Sequence, residues 1–144
     1  KWWSAVSPEW SDTRDMTLKI LQKEAELEEI VRLVGPESLP EDDKLILLAA
    51  RMIREDFLMQ SAYHPVDTYT TPQRAHMMLS TIMKFYELAQ EMSTSGTLVS
   101  NIASSKTLQR ISRMKDVPNE DFDKYVRGIR SEIEESMEVQ EGEI

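Results

Sequence analysis

Cysteine is absent from this sequence, and glycine is scarce. The 144 residues include no cysteine, which excludes a disulfide framework, a thiolate metal site and a cysteine nucleophile. The four glycines, Gly35, Gly96, Gly128 and Gly142, lie far apart. Neither GxGxxG nor GxxxxGKS/T can be written with them, so the sequence contains no glycine-rich phosphate-binding loop of its own.

Basic residues are few relative to acidic ones. The 17 Lys and Arg stand against 26 Asp and Glu, which gives a net charge of −9. Because phosphate backbones and anionic lipid surfaces attract basic faces, this balance argues against a nucleic-acid partner and against binding to an acidic membrane. The length is that of one domain with a core of ordinary size.

Long apolar runs are also lacking. The longest, from Leu45 to Ala50, is far shorter than the ~20 residues that a membrane-spanning helix needs. We therefore expect no direct membrane insertion. The sequence shows no signal peptide and starts at Lys1 rather than Met, so we expect a cytoplasmic piece cut from a longer protein.

Hydrophobic periodicity predicts an all-α fold, a helical bundle of about five to six helices. The first three expected helices begin near a capping residue or proline, and the first and third end at a glycine. Residues 61–71 do not fit a helix, because Pro65 and several β-branched residues oppose it. The expected helices span about 8–34, 38–60, 72–92, 97–103 and 106–115, followed by a final helix after Pro118.

Three local patterns carry more specific predictions. Gly35 should end the first helix with a left-handed cap. Ser38-Leu39-Pro40-Glu41 matches a capping box, in which Ser38 accepts from the backbone and Glu41 reaches back. The final helix should bury one narrow stripe. That stripe consists of Phe122, Val126, Ile129, Ile133 and Met137.

The C-terminal end is strongly acidic. From Glu132 onward there are six acidic residues and no basic one. Such a composition is typical of a solvated segment, so we expect a frayed acidic tail over residues 132–144.

One group of residues could form a metal site. His64, Asp67 and His76 are the only histidine–carboxylate candidates, and two histidines with one carboxylate could ligate zinc. Their irregular spacing across a loop and a helix favours hydrogen bonding within the loop instead, so we predict no metal site. A small metal-dependent helical hydrolase remains an alternative function.

Two tyrosines bracket the non-helical segment. Tyr63 and Tyr69 could stack on a flat ligand, with contacts worth roughly 0.5–1.5 kcal/mol beyond burial. They could instead fill the core beneath the loop, and periodicity alone favours this second interpretation.

The segment 35–44, GPESLPEDDK, carries four acidic residues at a helix–turn–helix corner. It is either a capped hairpin corner or an exposed acidic knob that pushes on a basic partner. A stand-alone acidic helical adaptor that binds a basic partner is therefore another possible function.

This same segment resembles the acidic helix–turn–helix motif of rotary ATP synthases, DELSEED in one-letter code. Further segments, in the right order, look like the C-terminal region of the catalytic A subunit of archaeal A-type and related V-type ATPases. The resemblance is strong over residues 1–92 and weaker over 93–144, where Arg113-Met114-Lys115 and Pro118 are the main anchors. The matching segments are Trp2-Trp3, Pro8-Glu9-Trp10, and residues 24–27, 30–35, 50–58 and 63–69.

The resemblance implies a particular domain organisation. Residues 1–144 would be the C-terminal helical domain of a longer subunit, with core helices and an adenine-pocket loop over 1–92 and peripheral helices over 93–131. ATP or ADP and magnesium would bind in the preceding nucleotide-binding domain. No catalytic residue and no tightly bound cofactor is therefore expected here, and the fragment alone should be inactive.

The resemblance also implies partners and a location. Three copies of the parent subunit would alternate with B subunits in a ring around a central rotor stalk. The complex would make or hydrolyse ATP while moving protons or sodium ions. The domain would lie on the cytoplasmic side, peripheral to the cell membrane.

Two sites follow from the resemblance. The adenine pocket would be lined by Tyr63, Val66 and Tyr69, which reverses the interpretation that periodicity favours for the tyrosines. The acidic corner would touch the rotor stalk, and the helix pair 8–34 and 38–60 would act as a lever. The residues expected at the stalk are Glu37, Ser38, Leu39, Pro40, Glu41, Asp42 and Asp43.

Overall fold

The computed structural model describes residues 8–58 and 72–142, and within these ranges the chain is helical with no strand. This confirms the predicted all-α bundle with its six helices. The predicted non-helical segment 61–71 lies outside the described residues. The elements are α1 (Pro8–Val34), a 3-10 turn (Pro36–Ser38), α2 (Glu41–Met52), a π-helical segment (Ile53–Leu58), α3 (Pro72–Thr94), α4 (Val99–Ala103), α5 (Lys106–Arg113), a second 3-10 turn (Met114–Asp116) and α6 (Asn119–Gly142).

Helix α1 ends at Gly35, as the sequence predicts. The Gly35 N–H donates to the Val31 carbonyl at 2.9 Å, and the residue takes a φ of 87° with a ψ of 156°. The predicted left-handed cap is thus replaced by a more extended conformation at positive φ. Glycine is still needed, because residues with a Cβ rarely adopt it.

The predicted capping box at Ser38 is wrong. The Ser38 hydroxyl donates backwards to the carbonyls of Gly35 at 2.8 Å and Val34 at 3.2 Å. Pro40, rather than Ser38, precedes the first residue of α2, and no side chain caps that helix. Since the 3-10 turn displaces the helix start to Glu41, Ser38 closes the end of α1 instead of opening α2. The acids of the first turn still face the helix dipole favourably.

Helix α3 lies at the centre of the bundle. It packs against all five other α-helices and against the π-helical segment. Apolar residues at helical spacing form one stripe along it, which is largely buried, with Ala75 and Tyr86 half-buried at its edges. The buried members of the stripe are Met78, Leu79, Ile82, Phe85 and Ala89.

The end of α3 is a Schellman motif. Gly96 has a φ of 106°, its N–H donates to the Ser93 carbonyl at 3.0 Å, and the Thr97 N–H donates to the Met92 carbonyl at 2.9 Å. This pair of hydrogen bonds satisfies carbonyls that a helix end leaves free. The predicted break at 93–96 is therefore confirmed.

Helix α6 buries the predicted stripe and extends into the segment expected to form the tail. Phe122, Val126, Ile129 and Ile133 are buried, and Met137 is half-buried. The helix continues to Gly142, so the acidic segment from Glu132 is helical that far.

Two ion pairs tie acidic residues of this segment to other helices. Arg110 of α5 pairs with Glu132, and the Lys84 Nζ of α3 lies 3.1 Å from Glu134. A count of acidic residues along the chain cannot reveal basic partners on other helices.

The buried stripe of α6 predicts a large effect of truncation. Ile129→Ala should lower the free energy of unfolding by about 2–5 kcal/mol, because a fully buried side chain leaves a cavity. Val139→Ala on the same helix is the control, since Val139 is 59% exposed and its loss should cost less than about 0.5 kcal/mol. Urea unfolding of the two variants measures both values. Equal effects would contradict the packing of α6 described above.

Candidate functional site

The acidic tip, defined as residues 36–43, joins α1 to α2. Leu39 anchors it, because its side chain is only 6% exposed. Pro36 opens the 3-10 turn and Pro40 precedes α2, and the fixed φ of proline stiffens both positions. The exposed members of the tip are Pro36, Glu37, Ser38, Pro40 and Asp42, and the half-buried ones are Glu41 and Asp43.

Glu41 holds two helices together rather than pointing freely into solvent. Its Oε1 accepts a hydrogen bond from the Val99 N–H of α4 at 2.8 Å, and its carboxylate lies 3.3 Å from the Lys44 Nζ. The bond from Val99, with help from Lys44, keeps the pKa of Glu41 below its usual value despite some desolvation. The tip is thereby tied to the start of α4.

Asp42 lies in the first turn of α2. It is exposed, and its charge adds to the effect of burial in raising the pKa of the Tyr86 hydroxyl. Of the four acids in the tip, Glu37 and Asp42 are therefore the two that are exposed to a partner.

Apolar side chains adjoin the tip at the end of α1. Leu33 is 81% exposed and Val34 is 62% exposed, and Ile30 lies one turn earlier on the same side with partial exposure. Their i, i+3, i+4 spacing is visible in the sequence. Periodicity shows that an apolar stripe exists, but not whether the stripe is buried within this domain or exposed to a partner. The sequence therefore did not identify the stripe as part of the site.

A cluster of charged side chains around Asp56 lies just before residues 59–71 in the chain. Asp56, in the π-helical segment, is 4% exposed. The Lys115 Nζ lies 3.8 Å from its Oδ1 and donates to the neighbouring Glu55 carbonyl at 3.1 Å. Burial raises the pKa of Asp56 to about 6, opposed by the charges of Lys115 and Arg51 and by a hydrogen bond from Ser112, while Glu55 raises it further.

A second buried charge, that of Arg74, lies just after residues 59–71 in the chain. It is 4% exposed, and its Nη1 donates to the Asn119 Oδ1 at 2.7 Å. Its Nη2 donates to the carbonyls of Met114 at 3.2 Å and Lys115 at 3.3 Å. The guanidinium also lies 4.2 Å from the centre of the Phe122 ring.

Burial lowers the pKa of Arg74 from its usual value, but its partners offset the cost of burying the charge. Its contact with carbonyls at the end of α5 and the following turn is the favourable placement of a cation at a helix C-terminus. Cation–π attraction from Phe122 adds to this.

Several predicted site residues lie outside the described ranges. These include the adenine-pocket residues Tyr63, Val66 and Tyr69, and also His64 and Asp67 of the alternative metal site. His76 lies on α3 and is half-buried. Within 8–58 and 72–142, no group of three or more histidine, aspartate or glutamate side chains could hold a metal ion. The helices of the same two ranges include none with the length and apolarity to span a bilayer.

Comparison with known proteins gives one consistent family. A family model described as the C-terminal domain of V and A type ATP synthase matches residues 1–103. The A-type ATP synthase A subunit of Staphylothermus marinus is 49% identical over 138 residues, which is 95% of this chain and 23% of that protein.

Two further relatives carry the same name. The A-type ATP synthase A subunit of Methanopyrus kandleri is 48% identical over 96% of this chain and 24% of its own length. That of Thermococcus sibiricus is 49% identical over 82% of this chain and 20% of its own length. The chain thus spans less than a quarter of the length of the curated relatives it matches.

The raised pKa of Asp56 predicts a pH-dependent stability difference. Because its folded pKa of about 6 lies above its ordinary 3.8, ionisation of Asp56 destabilises the fold as the pH rises through that range. Asp56→Asn should therefore raise the free energy of unfolding at pH 7.5 by up to roughly 3 kcal/mol. The difference should vanish at about pH 3, below the ordinary pKa of 3.8, where Asp56 is protonated in both the folded and the unfolded state.

Urea unfolding at the two pH values tests this prediction. Asp123→Asn, at an exposed position of α6, is the matched control and should change stability by less than about 0.5 kcal/mol at either pH. An Asp56→Asn chain that is less stable than the parent at pH 7.5 would show that the ionised carboxylate is stabilising instead.

Proposed function

This chain belongs to the family of C-terminal domains of V and A type ATP synthases, and from that premise we propose that it couples a nucleotide site to a rotating stalk. It would form the C-terminal helical domain of a longer catalytic chain in a rotary ATP synthase. The single observation that carries the proposal is the acidic tip, a stiff and exposed corner between two helices of the bundle core.

The chemistry of the parent would lie outside this chain. ATP or ADP and magnesium would bind in a preceding nucleotide-binding domain, and the residues present here would supply no catalytic group. The parent would alternate with B subunits in a ring, peripheral to the cell membrane, and the complex would translocate protons or sodium ions. The 144 residues alone are expected to be inactive.

The tip suits contact with a moving partner because it is rigid. Buried Leu39 anchors it, Ser38 closes α1, and Glu41 ties it to α4. These three residues support the tip, whereas exposed Glu37 and Asp42 would meet the stalk. A push on such a turn displaces whole helices instead of bending a loop.

The apolar stripe beside the tip would complete the contact. Leu33 and Val34 are exposed where α1 meets the tip, so a stalk with basic and apolar side chains would be matched in both respects. We therefore propose that Leu33 and Val34 join exposed Glu37 and Asp42 in the stalk contact.

The lever would consist of α1, α2 and the π-helical segment. Helices α1 and α2 pack against each other and both pack on α3, and an ion pair between Glu24 and Arg54 joins α1 to the π-helical segment. That segment leads directly to residues 59–71, where Tyr63, Val66 and Tyr69 are proposed to line the adenine pocket. If the nucleotide state biases the lever, the stalk position must bias nucleotide affinity in return.

Removing the charges of the tip should weaken coupling. Glu37→Gln with Asp42→Asn keeps the shape of the tip, and each exposed charge contact is worth about 0.5 kcal/mol, so ions moved per ATP hydrolysed should fall in the assembled complex. Deleting residues 36–43 should have a larger effect. Glu120→Gln with Asp121→Asn, exposed on α6, is the control pair. Full coupling after the deletion would rule out the tip as the stalk contact.

Removing a ring from the proposed adenine pocket should weaken nucleotide binding. Tyr69→Ala in the full-length parent protein should raise the Kd for ADP by on the order of tenfold, because one stacking contact is worth up to about 1.5 kcal/mol. Tyr69→Phe keeps the ring and should bind like the parent. Circular dichroism should show unchanged helix content in both variants. If Tyr69→Ala binds ADP with the affinity of the parent, the residue lies outside the pocket.

A further inference from the structure

The 3-10 turn Met114–Asp116 contacts the chain on both sides of residues 59–71. One residue of the turn, Lys115, makes contacts on both sides. The Lys115 side chain reaches Glu55 and Asp56, and the Lys115 carbonyl accepts from Arg74. Glu55 and Asp56 lie shortly before residue 59, and Arg74 lies shortly after residue 71, so Lys115 links the two flanks directly.

The contact on the N-terminal flank is specific. The Lys115 Nζ lies between a buried carboxylate, that of Asp56, and the Glu55 carbonyl, which is a main-chain atom. The other groups facing Asp56 are Ser112 of α5 and the side chains of Arg51 and Glu55. Because a buried carboxylate is costly without a cation beside it, Lys115 lowers the cost of burying Asp56 and holds this flank to the turn.

The contact on the C-terminal flank is also made by a buried charge. Arg74 donates to two consecutive carbonyls of the turn and to Asn119 at the start of α6. The planar guanidinium, with its donors in a fixed fork, holds orientation as well as distance. The start of α3 is therefore fixed against the same turn.

We propose that the turn Met114–Asp116 is a shared anchor that sets the separation of the two flanks of residues 59–71, with Lys115 and Arg74 as positioning residues for nucleotide binding. The second half of this statement rests on the proposed function of Tyr63, Val66 and Tyr69. The anchor lies outside residues 1–103, which the family model matches. Through this anchor, the C-terminal part of the chain would help to position the nucleotide site without lining it.

A distance measurement tests the anchor without any nucleotide. The chain contains no cysteine, so Glu55→Cys and Gln73→Cys, both at exposed positions, can carry a pair of spin labels across the flanks. Lys115→Met should broaden or shift the distance distribution, and Lys115→Arg should largely restore it. Lys106→Met, at an exposed lysine of α5, is the control and should leave it unchanged.

Lys115→Met leaves the buried Asp56 carboxylate without a cation, which could unfold the chain. A second variant therefore serves as a control for unfolding. Asp56→Asn with Lys115→Met removes the same contact without leaving a buried unpaired charge, and it should change the distance in the same way. If the distribution stays as narrow in both variants as in the parent, the shared anchor does not exist.

Kinetics of the assembled full-length complex test the positioning role. Lys115→Met should raise the KM for ATP by about fivefold or more, the lower end of typical coupling between linked sites. The kcat should change less than the KM, because the catalytic groups are elsewhere, and Lys115→Arg should recover most of the loss. An unchanged KM alongside an altered label distance would overturn the positioning role.

Tyr69→Ala in the same assay separates the two proposals. If Tyr69→Ala raises the KM and Lys115→Met does not, the anchor fails as a positioning element while the adenine pocket stands. If neither raises the KM, the proposed pocket is wrong and the nucleotide half of the anchor proposal falls with it. The spin-label distances still decide whether Lys115 fixes the flanks.

Discussion

The burial of the apolar side chains of α3 is the constraint on which the rest of the structure depends. Ile82 and Met78 are fully buried, and every other α-helix packs against this one. Because so much apolar surface leaves water around a single helix, the surrounding helices are held in one arrangement. The tip joins that arrangement through α1, α2 and α4, and the turn Met114–Asp116 joins it through Arg74 of α3.

In this architecture, the residues that hold the tip in place differ from the residues that are exposed to a partner. At the tip, Leu39 and Glu41 face inwards and hold the turn, which leaves Glu37, Asp42 and the apolar end of α1 exposed. Around residues 59–71 we propose the supporting role for the buried Arg74 and for Lys115. Under the proposed function, displacement of the tip would pass through the packed helices to the flanks of residues 59–71, because interfaces between packed helices shift as units.

The helices and their buried faces could be predicted from the sequence, because apolar spacing is a local property. The capping box failed because the partners of Ser38 and Glu41 were chosen by the surrounding structure: Glu41 binds Val99, which is 58 residues away. The π-helical segment and the contacts of Lys115 were missed for the same reason. The acids of the tip were predicted as a group, but which of them point outwards depends on tertiary packing.

A crosslink from the tip to the stalk tests the central claim most directly. Because this domain has no cysteine, Asp42→Cys places one reactive thiol at the tip of the full-length parent protein. In the assembled complex, with a cysteine introduced into the facing part of the central stalk and a mild oxidant added, it should form a disulfide to the stalk and stop ATP turnover until a reductant breaks that bond, whereas Glu120→Cys on α6 should do neither. Failure of Asp42→Cys to reach the stalk, or equal crosslinking from Glu120→Cys, would contradict the account.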